Sequence, residues 1–107
     1  MKLLHLGIPT QSKIENKTYI YVEKIKLHVT SSEDHEFKLQ FVCADADSPL
    51  PEIVKNENHL AIQVESIEES IKQFDYVAYP TVTINDKLKI CFAVKDSILF
   101  ELTEFIN

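Results

Sequence analysis

Four residues of this chain could together hold a metal ion: His5, Gln40, His59 and Glu101. They come from an internal echo. His5-Leu6-Gly7-Ile8 recurs as His59-Leu60-Ala61-Ile62, both of the form His-Leu-small-Ile, and a repeated unit constrains a whole architecture. After each histidine comes a stretch with a polar oxygen donor between bulky neighbours: Leu39-Gln40-Phe41 after the first, Phe100-Glu101-Leu102 after the second. Two imidazoles and a carboxylate form a common open site for Zn, Ni, Co, Mn or Fe(II), and Gln40 would add a neutral oxygen. Such a centre polarises a substrate carbonyl or carries a reactive water. Taken singly, a strand histidine is ordinarily structural and a glutamate near a C-terminus is ordinarily solvated. The shared placement of all four favours a site. His28 and His35 fall on no repeated position and are read as structural.

The elements that must position these residues are mostly strands. Alternation predicts strands at 2–8, 18–29, 36–43, 59–64, 81–84, 87–94 and 98–105. Residues two apart share a face of a strand, which puts each candidate ligand opposite the bulky aliphatic set of its own strand. Leu4, Leu6 and Ile8 oppose His5 and Gly7; Leu60, Ile62 and Val64 oppose His59, Ala61 and Gln63. The ligand face becomes the inner surface of a curved sheet, where Gly7 and Ala61 leave room beside the histidines. Ser66-Ile67-Glu68-Glu69 fits a capping box that opens a helix with Ile67, Ile71 and Phe74 on one stripe; Glu68 and Lys72 would pair along it. Pro51–Asn56 fits a short helix with proline in its first turn. Residues 10–17 carry one apolar anchor, Ile14, and form no stable helix.

One domain of 107 residues is expected, with 45% hydrophobic content typical of a globular chain. The net charge of −6 and the absence of any Lys/Arg run argue against nucleic acid as a partner. No apolar stretch reaches the length of a signal core or a membrane span, so the expected location is cytoplasmic, off the membrane. Cys43 and Cys91 stand far apart with no local metal spacing and are read as buried, reduced thiols.

The residues carry a resemblance to the vicinal oxygen chelate superfamily, which includes glyoxalases, bleomycin-resistance proteins and extradiol dioxygenases. The motifs are Leu3-Leu4-His5-Leu6-Gly7-Ile8, His59-Leu60-Ala61-Ile62-Gln63-Val64 with its capped helix, and Ile90 to Val94 followed by Leu99-Phe100-Glu101-Leu102-Thr103-Glu104. The resemblance covers residues 58–105 well, and 1–8 and 36–43 more loosely. It implies an α+β fold of two βαβββ-type modules, 1–43 and 58–107 with a connector at 44–57, that form a curled mixed sheet around a cleft. It also implies His5, Gln40, His59 and Glu101 as metal ligands. Their order resembles methylmalonyl-CoA epimerase-like members and, more loosely, lactoylglutathione lyases. Both types hold two substrate oxygens on a divalent metal and stabilise an enediolate while a proton moves, with Glu101 or Gln63 assisting here. The chain departs from the pattern in two places: module one lacks its usual helix, and Lys95-Asp96-Ser97 replaces the usual Asp-Pro-Asp-Gly turn. The missing helix would bare Leu4, Leu6, Phe37 and Phe41, an apolar face that implies a homodimer.

Three functions remain open at this point. The first is a metal-dependent isomerase or lyase on a small oxygen-chelating substrate. The second is a metal-free binder of drug-like or aromatic molecules, with Tyr19, Tyr21 and Phe105 as stacking residues and Gln63 as a polar contact. The third is a structural dimer whose site has degenerated.

Overall fold

Alternation of apolar and polar residues dominates the chain, and the computed structural model, which describes all 107 residues, answers it with one eight-stranded curled sheet and little helix. The strands are β1 (Lys2–Pro9), β2 (Ile20–Val22), β3 (Leu27–Val29), β4 (Leu39–Ala44), β5 (His59–Gln63), β6 (Tyr76–Asn85), β7 (Leu88–Lys95) and β8 (Ile98–Phe105). Their order across the sheet is β2-β3-β4-β1-β5-β8-β7-β6. β1 and β5 pair antiparallel at the centre. Each also pairs parallel with the last strand of its own half, β4 and β8 respectively. The remaining pairings are antiparallel. The α+β class and the curled mixed sheet expected from the sequence are therefore present.

The two faces of the sheet hold separate cores. On the outer face Ile62, Cys91, Ala93 and Leu102 are buried against Ile67, with Ile71 and Phe74 packed beside them. That cover is α2 (Ile67–Ser70) and the 3₁₀ turn Ile71–Gln73 that continues it. The Glu69 N–H donates to Ser66 Oγ at 3.2 Å, the first half of the capping box. The Glu69 carboxylate does not return to the cap; it pairs with Lys72 at 3.0 Å, one position from the expected Glu68. Glu104 of β8 completes the helix start, accepting from the Ile67 N–H at 2.8 Å.

The inner face is filled from below by the connector. α1 (Glu52–Asn56) starts at Pro51 as expected. Leu50 and Val54 join Ile25, Leu27, Val42, Ile90, Phe92, Val94 and Leu99 in one buried cluster. The connector thus closes one end of the curled sheet. The sheet's two edges are bridged by Lys24, whose Nζ donates to the Thr83 carbonyl at 2.5 Å.

Several boundaries differ from those read off the sequence. The 18–29 stretch is not one strand: Glu23–Ile25 makes a 3₁₀ turn, and Lys26 at φ 48° reverses the chain into β3. The Ser48 hydroxyl, from the connector, donates to the Ile25 carbonyl there at 2.5 Å. Lys38 at φ 58° delays β4, so Phe37 falls outside it and is 73% exposed. β6 starts well before residue 81 and runs through Pro80; it is an edge strand with register shifts, where a proline lacking an N–H is tolerated. Asp96 and Ser97, both at positive φ, make a two-residue hairpin turn without glycine.

No helix stands between β1 and β2. Residues 10–19 lie over the outer face instead. The Gln11 carbonyl meets Cys43 Sγ at 3.8 Å, and Lys17 sits 5.2 Å from the Phe41 ring centre. Phe41 is consequently half-buried rather than bare, and Leu6 is half-buried as well.

The closure of the sheet by α1 predicts a cost for thinning it. Leu50→Ala should destabilise the protein by about 2–5 kcal/mol in urea unfolding, whereas a plain linker would tolerate the change at under about 0.5 kcal/mol.

Candidate metal centre

Strand register brings the four candidates to the middle of the inner face. His5, Ala61 and Glu101 lie in one row across β1, β5 and β8. Gln40, Gly7 and His59 lie in the neighbouring row across β4, β1 and β5. Each row therefore places a small residue between two donors. Glu101 stands to His5 across Ala61 as Gln40 stands to His59 across Gly7.

Glycine at position 7 is a steric requirement. A Cβ there would lie 2.1 Å from Cε1 and Nε2 of His59. The space that Gly7 leaves is occupied by the His59 ring itself and not by a ligand beside it. Phe92 holds the ring from another side, edge-on with centroids 5.4 Å apart. His59 is 2% exposed.

The donors converge on one carboxylate oxygen. His59 Nε2 is 3.1 Å from Glu101 Oε1, and His5 Nε2 is 3.5 Å from the same atom. The imidazole directions miss the carboxylate, so His5 Nε2 and both ring nitrogens of His59 are buried without a hydrogen-bond partner. Leaving a buried polar atom unpaired costs about 1–3 kcal/mol, so three in one place call for a ligand. Donor atoms of His5, His59 and Glu101 all lie within 4.8 Å of one another. Adjacent ligands on an ion with bonds of about 2.1 Å stand roughly 3.0–3.5 Å apart, which matches the two contacts to Oε1. The donor set fits a divalent cation.

The chain matches no protein-family model and no curated protein. The site's chemistry is carried by its own residues.

Glu101 is suited to the ligand role. Burial works to raise its pKa, but His5 and His59 more than offset that, and it falls from the ordinary 4.5 to about 2. The carboxylate is ionised and ready to bind a cation. Gln40 lines the same cavity as the other three. This cavity, about 300 Å³, takes lining residues from all eight strands, so it closes within one chain. Its exposed lining residues, Glu33 and Phe105, mark the mouth, at the end of β8 opposite the α1 plug.

The other sequence candidates divide. Phe105 lines the cavity. Gln63 lines a separate hollow beside the chain termini. Tyr19 is outside the cavity, its oxygen accepting from the Ile14 N–H at 2.9 Å. Tyr21 is also outside; its hydroxyl donates to Asp45 at 2.8 Å, and that carboxylate holds the phenol neutral, up to about 12. Leu4 was expected on the outer face with Leu6 and Ile8. A register shift between Leu3 and His5 turns it into the cavity beside His5. Phe92 and Glu33 were not singled out from the sequence. Alternation groups Phe92 with Leu88, Ile90 and Val94 but does not say which face of the sheet they take; Glu33 sits in a polar turn that gives no hint of a cavity.

Two outcomes follow from this geometry. Gly7→Ala should weaken divalent metal binding by about 10- to 100-fold or more in calorimetry by displacing the His59 ring, and unchanged affinity would refute the steric account. Glu101, with a lowered pKa, contributes stability that is whole above about pH 4.5 and is lost as pH falls toward about 2. Metal-free wild type should therefore lose more stability than Glu101→Gln across that window in urea titrations at stepped pH; parallel curves would contradict it.

Proposed function

We propose that this chain is a glyoxalase-like, metal-dependent isomerase or lyase that acts on a small oxygen-chelating substrate through an enediolate-type intermediate. The observation that carries the reading is the pair of buried imidazole Nε2 atoms, unpartnered within the chain, that stand 3.1 and 3.5 Å from one ionised carboxylate oxygen inside the cavity. The strand order supports it: β2-β3-β4-β1 on one side and β5-β8-β7-β6 on the other repeat one connectivity about the central β1–β5 pair, the first strand of each half lying beside its last. That is the arrangement of two paired modules, the first with residues 10–19 in place of its helix.

His5, His59 and Glu101 would hold the ion, with Gln40 as a fourth donor. A bound divalent ion would supply Lewis-acid polarisation of two adjacent substrate oxygens. The chain's own residues do the rest. Phe92 and Gly7 fix the His59 ring, so the donor geometry is set before substrate arrives. α1 closes the far end and limits water access. Glu101 is the one carboxylate deep in the cavity and is the candidate proton acceptor. Its low pKa makes it a weak base, so the role demands a strongly polarised C–H acid.

A metal-free small-molecule binder is the second reading, favoured by one observation: 11 of the 18 cavity-lining residues are hydrophobic. Phe105 is the aromatic contact that this reading retains at the mouth. Neither reading requires a second copy of the chain to complete the cavity.

Metal analysis separates them. Purified protein incubated with Zn, Ni, Co, Mn or Fe(II) salts should retain about one divalent ion per chain, and His59→Ala should retain none while remaining folded by circular dichroism. Wild type that retains no ion under any of these conditions would overturn the catalytic reading.

A further inference from the structure

The cavity has a charge pattern that the metal reading does not use. Its walls carry no lysine or arginine. The ionisable lining groups are His5, His59, Glu33 and Glu101. Lys38 reaches Glu33 at 2.5 Å and with Lys2 keeps that carboxylate ionised, yet neither lysine lines the cavity. Beyond the donor cluster and Glu33 the wall is mostly hydrocarbon, with Val22, Ile25, Leu27, Val29, Ile84 and Leu88 among it, and its other polar groups are the uncharged hydroxyls of Ser32 and Thr103. An anionic group on the body of a ligand would be desolvated here without a partner, which is strongly unfavourable, and would face Glu33 at the mouth.

The site's own charge points the same way. A divalent ion held by one carboxylate and neutral donors leaves a single positive charge. One singly deprotonated head with two adjacent oxygens cancels it, and a second negative charge has nothing to meet.

Resting on the metal-centre reading, we infer that the substrate is a compact molecule with an uncharged hydrocarbon body and one two-oxygen head that binds as a monoanion. An apolar α-hydroxyketone is of this class. Phosphate-bearing thioester carriers and dicarboxylates are not. The volume of about 300 Å³ sets the scale, at the small end of ligand sites.

Three hydroxamates with one shared chelating head test this on the nickel-loaded protein by calorimetry. Benzohydroxamate should bind at least about tenfold tighter than acetohydroxamate, because its ring is buried. It should also bind at least about tenfold tighter than 4-carboxybenzohydroxamate, whose charge is not matched. Equal or tighter binding of the carboxylated probe would overturn the inference and leave the metal centre standing. If the protein retains no nickel, the cavity is judged without metal, by following the backbone amide signals of Val42, Ile90 and Phe92 in NMR. Shifts with benzamide and none with 4-carboxybenzamide would uphold the uncharged-body inference while the metal reading falls. No shift with either, or equal shifts with both, would overturn it.

Discussion

The absence of one side chain controls this site. His59 on β5 can lie across the sheet only because β1 offers it the bare Cα of Gly7, the single glycine in the chain. Any Cβ at that point would sit 2.1 Å from the ring, far inside van der Waals contact. Everything else follows from that approach: the ring meets Phe92 edge-on, its Nε2 comes to the Glu101 carboxylate, and His5 reaches the same oxygen from the next row. Elsewhere the chain does without glycine, placing Asn16, Lys26, Lys38, Asp96 and Ser97 at positive φ. Glycine's freedom at such positions is worth a modest gain; at position 7 what matters is space.

The buried cluster is costly for the fold. A carboxylate and two imidazoles are removed from water, and the ring nitrogens do not hydrogen-bond within the chain. Burial alone would push Glu101 toward its neutral form; its low pKa shows that the two histidines outweigh desolvation. A core of leucine and valine in the same place would be at least as stable. The surrounding structure absorbs the expense: two separate apolar clusters, one under α2 and one under α1, brace the sheet on both faces. The polar centre is supported by a scaffold that does not need it, as is usual where function breaks the rules of packing.

Local pattern carried a large part of this into view. The His-Leu-small-Ile echo placed His5 and His59 at matching points of β1 and β5, and simple alternation put Gln40 and Glu101 on the same face as the histidines; Phe92 joins them through the pairing of β7 with β8. What stayed hidden depends on distant pairing. The shift that turns Leu4 inward arises where β1 meets β5. The break at Glu23–Ile25 comes with a left-handed Lys26 and a hydrogen bond from Ser48 in the connector. β6 continues through Pro80 because it happens to be an edge. Tyr19 and Tyr21 looked like cleft aromatics, but partners in Ile14 and Asp45 hold them elsewhere. Residues 10–19 carry no periodic signal and still lie across β4, through backbone and lysine contacts that no hydrophobic pattern reports.

The central claim is that His5 and His59 bind one divalent ion through their Nε2 atoms, with Glu101 as the charged ligand. Proton NMR of the cobalt(II)-substituted protein tests it most directly. Two exchangeable, strongly hyperfine-shifted imidazole N–H signals are predicted, one lost in His5→Ala and the other in His59→Ala. A spectrum without such signals, or one in which the shifted signals survive both substitutions, would contradict the account.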